Sequence, residues 1–553
     1  MASITVQEYI RKKALGILGL IDSEINPNTR EERLTFVNDI QEAVINKLHE
    51  YNVWYTGDAD ELLNFYTRAI AIDYNSDPIL NRNKKSYFWS VSSTEQDIKR
   101  THSGQPRNIT DTLVNIIGLP RAGVGAPGSP LEKVNDRLQV ILEENGFNKL
   151  LMQKARPLTL TEGWGGWKIN YDIDLADTPL LLYYRAESVD FIYRSGRLVA
   201  IIYKDYYQDE KRKDYILFEI RRQEKGNLII EKELFEITPN TDVIKPMKLS
   251  DLKQLKDVKP KIQISNYRGF LGYPCIYFDD NNGDCPGRSI FTGKIDLFDD
   301  LDQCLSQSAN TVRRSTTIEY FDVKYLEKDE NTGLPKMPHS FDRKYVSYKG
   351  VKTGDGLLQG TGPVTATQPK LDFVQYSTEA TNILLQIISG IMSPATLGID
   401  IAKKDNAEAQ REKEKVTIFT RNAIMSEESK IIKAICNDLL CADEMMHNKG
   451  KITNHKYDVY VQYDEFADAS FEKKLETVLM GWREGMISDK MAVDYLYGNS
   501  ISKERKEKEV KFMEEQRKSA EQSPFGQGDM GELGAENEYN EENALLQAPD
   551  TAI

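Results

Sequence analysis

The chain has 553 residues, and since a domain usually holds roughly 100 to 200 residues, we expect about three or four modules. Its 72 Lys and Arg residues are outnumbered by 86 Asp and Glu residues, and the net charge of −14 excludes a strongly basic protein that wraps nucleic acid. Hydrophobic residues make up 40% of the sequence, which excludes wholesale disorder.

The acidic charge is distributed unevenly along the chain. Residues 523–553 carry seven acidic side chains and no basic one, so we expect a disordered acidic tail. The five cysteines are odd in number and form no CxxC pair, a usage typical of a reducing compartment. The apolar stretch that follows Arg11 to Lys13 is too short for a secretory signal and has no cleavage site. We expect a cytosolic product.

The N-terminal region has mainly helical patterns. Apolar periodicity predicts three helices: 38–51, 60–69 and 109–117. Residues 118–130 are rich in Gly and Pro, which predicts a loop. Ser129 at the N-cap, Pro130 at the first helical position and Glu132 at the third then predict a new helix.

Between residues 163 and 237 the pattern changes to short runs of Tyr, Ile, Val and Phe, which predict an antiparallel β meander. The predicted strands are 167–173, 180–185, 198–205, 215–222 and 228–235. Tight turns are expected at Ser195-Gly196-Arg197 and Lys225-Gly226-Asn227. A poorly periodic connector rich in lysine runs to about Asn266, and a strand follows at 273–278.

The second half of the chain begins with a predicted amphipathic helix. Apolar residues recur at three- and four-residue steps from Ser289 to Arg314. Acidic residues lie toward its N-terminal half and two arginines end it, the order that the helix dipole favours. These residues are Asp296, Asp299, Asp300, Asp302, Arg313 and Arg314. Four aspartates are more acidic residues than the interaction with the helix dipole alone requires.

A small insertion separates this helix from the next. Residues 318–372 have the pattern of short strands with Gly/Pro turns, and Ser377 then caps a second helix with one apolar stripe. The uncharged run 380–399 is about long enough to span a membrane. Because it contains Pro394 and several polar residues, a buried helix that ends before Pro394 is the better interpretation.

The remaining predicted elements are a loop to about 405, a long helix over 406–448, a strand over 457–463, a helix pair over 471–497 and a charged helix over 502–522.

The sequence contains no motif that supports an enzyme. A GxGxxG occurs at 123–128, but a helix is predicted before it where a dinucleotide site needs a strand. Five residues separate Gly287 from Gly293, and Ile295 stands where a phosphate loop needs Ser or Thr. The acidic turn 279–284 does not fit a calcium loop, and neither HExxH nor GxSxG occurs. We expect no catalytic residue, cofactor or metal.

Basic residues cluster at several points, and a solvated surface accounts for most such clusters. Lys403-Lys404 differs because it lies in a predicted loop between two helices, where mobile ammonium groups could meet phosphates.

The order of these elements resembles that of tailed-bacteriophage portal proteins, over about residues 51–497. N-terminal helices lead through Trp164-Gly165-Gly166-Trp167-Lys168 into the meander, and helix, insertion, helix, loop and long helix follow. Local stretches are similar to the family's loop, long-helix start and C-terminal helical turn: Ile388-Ser389-Gly390-Ile391, Thr396-Leu397-Gly398-Ile399-Asp400, Asn406-Ala407-Glu408-Ala409 with Arg411-Glu412, and Glu484-Gly485-Met486-Ile487-Ser488.

The resemblance implies an α+β, mainly α portal fold that assembles into a dodecameric ring at one vertex of the capsid. Double-stranded DNA would enter through the ring during packaging and leave through it at infection. The implied regions are a β-rich wing (1–288, with the meander at 163–237), a stem helix (289–316), a small α/β clip (317–376), a second stem helix (377–392), a tunnel loop (393–406), a long helix returning to the wing (407–465), crown helices (466–522) and the tail (523–553).

The resemblance also implies partners and site residues. The partners are identical subunits, double-stranded DNA, the terminase large subunit docking on the clip, a head-tail adaptor, the major capsid protein and a scaffold, with no membrane. The implied tunnel-loop residues are Ser393, Thr396, Lys403, Lys404 and Asp405. The implied stem residues are the four aspartates and two arginines named above, with Glu379 and Gln386. A separate terminase ATPase would drive packaging, consistent with the missing phosphate loop.

Two physical expectations accompany this interpretation. A stem helix with one apolar stripe could bury that stripe between identical neighbours in a ring. An acidic protein repels the DNA backbone on average, so its channel would hold DNA weakly and let it slide.

Two alternatives stay open. Another structural component of a capsid or tail shares the composition but gives no reason for this order of elements. A carboxylate-dependent nuclease or hydrolase would use Asp172 and Asp174 or the cluster at Asp279, and alanine substitution there would abolish its activity.

Overall fold

The structure is a computed structural model of the chain, and it divides into two compact units, Met1–Asp464 and Glu465–Ile553. It describes residues 4–18, 42–73, 87–90, 98–126, 129–171, 175–209, 212–238, 243–280, 285–314, 317–322, 328, 333–334, 343–348, 364–367, 373–399, 414–448, 452, 456–463, 478–482, 488–497, 506 and 508–512. The predicted acidic tail and most of the predicted charged helix at 502–522 lie outside these residues.

Helices occur along the whole described part of the chain. They are α1 (Val6–Leu18), α2 (Glu42–Thr56), α3 (Ala59–Asp73), α4 (Gln105–Ile117), α5 (Glu132–Glu144), α6 (Phe147–Leu150), a π-helical turn (Leu151–Ala155), α7 (Arg156–Glu162), α8 (Ile295–Arg314), α9 (Phe373–Ile388), α10 (Lys415–His447) and α11 (Asp489–Tyr497). Residues 478–482 are also helical, and Trp482 Nε1 donates to Asp489 Oδ1 at 2.5 Å. None of the helices in the described part of the chain combines the length and the apolar composition that crossing a bilayer requires.

The strands lie mainly between α7 and α8. They are β1 (Ile4–Thr5), β2 (Pro120–Ala126), β3 (Ser129–Pro130), β4 (Trp164–Asn170), β5 (Leu180–Arg185), β6 (Val189–Arg194), β7 (Arg197–Gln208), β8 (Asp214–Glu224), β9 (Asn227–Ile237), β10 (Val243–Met247), β11 (Lys261–Ile264), β12 (Gly272–Ile276), β13 (Thr317–Asp322), β14 (Arg343–Tyr348), β15 (Val364–Thr367) and β16 (Val459–Tyr463). The chain is therefore an α+β protein, as the sequence predicts.

The largest sheet has seven strands in the order β1-β10-β9-β8-β7-β6, and β11 also pairs with β9. Its two predicted tight turns are confirmed. Ser195 and Gly196 have φ values of 51° and 72°, and Lys225 and Gly226 have values of 50° and 82°, as the two central residues of a type I′ hairpin turn require. Helix α1 covers one face of this sheet, where the Tyr9 ring lies 4.5 Å from the Phe218 ring.

The prediction of one continuous meander is wrong, because the strands divide between two sheets. β4 and β5 form a separate sheet with β12, in the order β12-β4-β5, whereas β6 to β9 belong to the large sheet. The lysine-rich segment predicted to be a connector contributes β10 and β11, both of which pair with β9. Its weak periodicity reflects short strands separated by 3-10 turns at Leu249–Asp251 and Lys253–Leu255.

The prediction of a loop at 118–130 is also wrong. These residues include β2 and β3, and β2 pairs antiparallel with the distant β16. Ser129 and Pro130 are therefore strand residues, and α5 begins after Leu131. The GxGxxG pattern has a packing role here, because a Cβ atom at Gly123 would lie 2.5 Å from the Tyr460 ring.

Three predicted helices have different starts in the structure. α8 begins at Ile295, not Ser289, because turns closed by Thr292 N to Ser289 O and Lys294 N to Phe291 O occupy the preceding residues. α9 begins at Phe373, so Ser377 lies inside the helix and does not cap it. α10 is described from Lys415, and the predicted start at 406 lies outside the described residues.

The main core brings the N-terminal helices, the small sheet and the later helices together. Trp54 of α2, Leu113 of α4, Trp167 of β4, Ile387 of α9 and Ile432 of α10 each expose 1% or less of their surface. The apolar stripe of α9 is thus covered within a single chain. The expectation that identical neighbours bury this stripe is therefore not needed to explain it.

Candidate functional site

Helices α8 and α9 form an antiparallel pair that carries the predicted stem residues. Lys294 Nζ, just before α8, donates to Gln386 O at 2.9 Å and to Ser389 O at 3.2 Å, both at the end of α9. Cys304 Sγ, in the middle of α8, donates to Tyr376 O at 3.5 Å near the start of α9. The sheet with the order β14-β13-β15 lies between these helices in the sequence.

Asp299 on α8 is buried and binds a segment from the N-terminal region. We name residues 87–90 and 98–104 the strap. The carboxylate of Asp299 accepts hydrogen bonds from Phe88 N at 2.7 Å and Trp89 N at 3.3 Å, and only 3% of the residue is exposed. Burial raises the pKa of Asp299 to about 7, although the two hydrogen bonds act to lower it. Asp299 thus fixes the strap on α8.

Asp302, one turn later, binds the strap at three further points. Its carboxylate accepts from Trp89 Nε1 at 3.0 Å and from Ser103 N at 2.8 Å, and it lies 2.7 Å from His102 Nδ1. Its side chain is fully buried. Two of the four predicted stem aspartates are therefore structural acceptors inside the chain.

The other stem acids lie at the surface. Asp296, Asp300 and Glu379 are exposed, and the Tyr87 hydroxyl donates to Asp296. Partial burial first, and then the charges of Asp296 and Glu379, raise the pKa of Asp300. The exposed side of the α8–α9 pair thus carries three carboxylates that repel one another and any anion nearby.

The remaining stem residues are two arginines and a glutamine. Arg313 is exposed near the end of α8, and only the backbone of Arg314 is described. Gln386 is exposed on α9, and its carbonyl oxygen accepts from Lys294.

The start of the predicted tunnel loop contacts the beginning of α10. Ser393 is 3% exposed, and its backbone N–H donates to Thr417 Oγ1 at 2.8 Å at the beginning of α10. Thr396 Oγ1 lies 2.7 Å from the same hydroxyl, and a 3-10 helix covers Pro394–Leu397. The described chain before residue 400 and after residue 413 therefore meets at Thr417. Lys403, Lys404 and Asp405 lie outside the described residues.

A polar cavity of about 380 Å³ lies beside this junction. Gln105, Asn108 and Asn115 of α4 line one side, and Thr396 and Leu397 of the 3-10 helix line the other. Its charged lining residue is Asp111, a carboxylate. The described lining residues offer amides, hydroxyls and one carboxylate.

The acidic clusters considered for an enzyme are described only in part. Asp279 is exposed, and Asp280 Oδ2 accepts from Cys285 N at 3.1 Å. Asp172 and Asp174 lie outside the described residues. In the part of the chain that the structure describes, no group of three or more His, Cys, Asp or Glu residues could hold a metal ion.

The main core contains a buried charged node that was not predicted from the sequence. Arg156 of α7 donates to Glu428 of α10 through Nη2 at 2.6 Å and Nε at 2.9 Å, and the two side chains are 0% and 2% exposed. Tyr277 and Tyr463 donate their hydroxyls to the same carboxylate at 3.0 and 3.1 Å. A signal was present, because Glu428 falls on the buried apolar face of α10 that Ile424 and Ile431 mark.

No protein-family model matches this chain, and no curated protein matches it.

Proposed function

We propose that the chain is the subunit of a portal protein: a dodecameric ring at the unique vertex of a tailed-phage capsid, through which double-stranded DNA is packaged and ejected. The chain would act in the virion as a conduit and a docking platform, not as an enzyme. Each of its regions would keep the role that the resemblance implies.

The observation that carries the proposal is the three-dimensional order of α8, the inserted strands, α9 and α10. The antiparallel α8–α9 pair suits a stem, and strands β13 to β15 between its helices suit a clip. The junction of Thr396 and Thr417 suits a tunnel loop, because the described chain before residue 400 and after residue 413 comes together there.

The charges of the stem surface support a channel that holds DNA loosely. Asp296, Asp300 and Glu379 are exposed acids, and a phosphate backbone near them would be repelled. Asp299 and Asp302 would not contact DNA, because the strap already occupies both carboxylates. Lys403 and Lys404 would supply the weak attractive contacts.

The proposed partners follow from the same regions. The terminase large subunit would dock on the clip and supply the ATPase, and a head-tail adaptor would bind the ring after packaging. The major capsid protein and a scaffold would contact the wing during assembly of the capsid.

Native mass spectrometry of the full chain, combined with negative-stain electron microscopy, tests this proposal. We expect closed rings of about a dozen subunits with a central hole. A monomer or dimer that persists across a range of salt concentrations contradicts the proposal.

A further inference from the structure

The edge of strand β9 has a gap between two partner strands. β10 pairs with β9 up to Leu234, opposite Met247, and β11 pairs with it from Glu231, opposite Lys261. Lys232 and Glu233 therefore lie between the segment of β9 that pairs with β10 and the segment that pairs with β11. The chain from 248 to 260 crosses this gap through its two 3-10 turns, and Pro260 O accepts from Lys232 N at 2.8 Å.

A cavity of about 480 Å³ opens at this gap. Its walls are mostly apolar, with Leu234, Met247, Leu249 and Val258 packed as part of a small satellite core on this face of the sheet. Met247, Leu249 and Val258 are only half-buried, so apolar surface remains open to an incoming side chain. The volume exceeds that of one large aliphatic side chain by several-fold.

The rim of this cavity is basic in an otherwise acidic protein. Lys232, Lys248 and Lys256 line it, against Glu233 as its acidic lining residue. Glu233 already accepts from the Tyr9 hydroxyl at 2.6 Å and forms an ion pair with Lys13. We name the cavity and its three lysines the lysine groove.

The charge continues beyond the groove itself. Residues 243–264 contain six lysines and two aspartates, whereas the whole chain carries a net charge of −14. All six of these lysines are exposed, and Lys261 pairs with Glu231 of β9 at 3.0 Å. A local excess of positive charge next to an open apolar cavity is complementary to a ligand that is both acidic and apolar.

We propose that the lysine groove binds an acidic peptide segment of another polypeptide, which inserts one aliphatic or aromatic side chain into the cavity. The carboxylates that flank this side chain would pair with Lys248 and Lys256. A nucleic acid fits less well, because its phosphate backbone has no apolar side chain for the contact with Met247, Leu249 and Val258. The proposal does not depend on ring formation.

Fluorescence anisotropy with a labelled synthetic peptide, one leucine flanked by glutamates, tests the proposal on the full chain. We expect binding, and we expect the double variant Lys248→Glu/Lys256→Glu to weaken it by at least about tenfold. The matched control is Lys149→Glu/Lys154→Glu, which makes the same charge change at exposed lysines outside the groove. Equal weakening by the control pair would overturn the proposal, since it would show attraction to net charge alone.

Two further probes test the apolar contact and the nucleic-acid alternative, one each. Replacing the leucine of the peptide by serine is expected to reduce the affinity for the wild type, and Val258→Asn should abolish this difference between the two peptides. The proposal fails if serine and leucine peptides bind equally well to the wild type. It also fails if a labelled DNA duplex binds more tightly than the peptide and loses that binding in Lys248→Glu/Lys256→Glu.

Discussion

Arg156 and Glu428 form an ion pair inside the main core, where each side chain is the partner of the other. The guanidinium and the carboxylate form two hydrogen bonds, and the hydroxyls of Tyr277 and Tyr463 satisfy the remaining acceptor positions. Loss of one partner leaves an unpaired buried charge, which costs much more than the intact pair contributes. This node therefore makes the fold sensitive to single substitutions far from any surface.

The variant Arg156→Met tests the node. We expect it to lower the free energy of unfolding by about 3 to 5 kcal/mol, and we expect the double variant Arg156→Met/Glu428→Met to recover much of this loss. Urea unfolding of the full chain measures both. Lys430→Met is the control, because Lys430 forms an exposed pair with Glu427 whose loss should cost at most about 1 kcal/mol. Equal effects of Arg156→Met and Lys430→Met would contradict the prediction.

Asp299 gives the strap a dependence on pH. Its folded-state pKa, raised by burial to about 7, lies above its ordinary value of 3.8, so the folded chain binds the proton more tightly than the unfolded chain. The stability that this proton provides is present at low pH and is lost as the pH rises toward 7. The charged groups around it are Asp300, Asp302 and Arg100.

The variant Asp299→Asn removes this titration. As the pH rises toward 7, we expect the wild type to lose stability relative to the variant by up to about 1.4 kcal/mol per pH unit, with no further loss above pH 7. Unfolding free energies of both proteins, measured from about pH 5 to pH 8, provide the difference. A difference that does not change with pH would show that Asp299 stays charged throughout.

At the scale of elements, the apolar stripe of α9 belongs to the main core of its own chain. Ile387 is 0% exposed, whereas Leu385 on the same helix is 36% exposed. Ile387 and Leu385 can therefore be compared within one helix. A substitution at Ile387 reports on the packing of α9 inside the chain, whereas one at Leu385 reports on the outer face of the helix.

The variants Ile387→Ala and Leu385→Ala make the same kind of truncation at these two positions. We expect Ile387→Ala to cost about 2 to 5 kcal/mol of unfolding free energy, because it leaves a cavity in the main core. Leu385→Ala should cost less than about 1 kcal/mol in the monomer. Thermal unfolding of both variants at one low protein concentration compares them, and a larger loss for Leu385→Ala would contradict the prediction.

The sequence predicts those elements whose pattern is local. The hairpin turns at Gly196 and Gly226 and the helices α8 and α10 have clear local signals, and the structure contains all of them. It does not predict β2, because the partner strand β16 lies near the other end of the same unit. The burial of Asp299 is also not predicted from the sequence, because the strap that it binds is remote in sequence and acidic residues usually face water.

At the scale of the whole molecule, the acidic composition sets how the protein would handle DNA. In the proposed ring, the exposed carboxylates of Asp296, Asp300 and Glu379 would repel phosphate, and Lys403 and Lys404 would attract it. Binding of double-stranded DNA by such a ring should therefore be weak and should fall as the salt concentration rises.

The variant Lys403→Glu/Lys404→Glu tests this attraction. We expect it to reduce the retention of double-stranded DNA and to lower the slope of log affinity against log salt by about 1 for each phosphate that the ring no longer neutralises. Filter binding over a salt series measures this slope. Lys149→Glu/Lys154→Glu again serves as the control for net charge. Unchanged retention in the Lys403 and Lys404 variant would exclude a role for these two lysines in holding DNA.

The pairing of β2 with β16 has a consequence for synthesis on the ribosome. β2 is translated early, but its partner at Val459–Tyr463 emerges only after the helices α8 to α10 and the strands between them. At translation rates of roughly 5 to 20 residues per second, this delay lasts on the order of tens of seconds. During that interval the edge of β2 that pairs with β16 has no partner strand. Arg156 also lacks its partner until Glu428, in the same late segment, has been translated. Slow elongation or a stalled ribosome within this segment would therefore expose an unfinished core to chaperones and proteases.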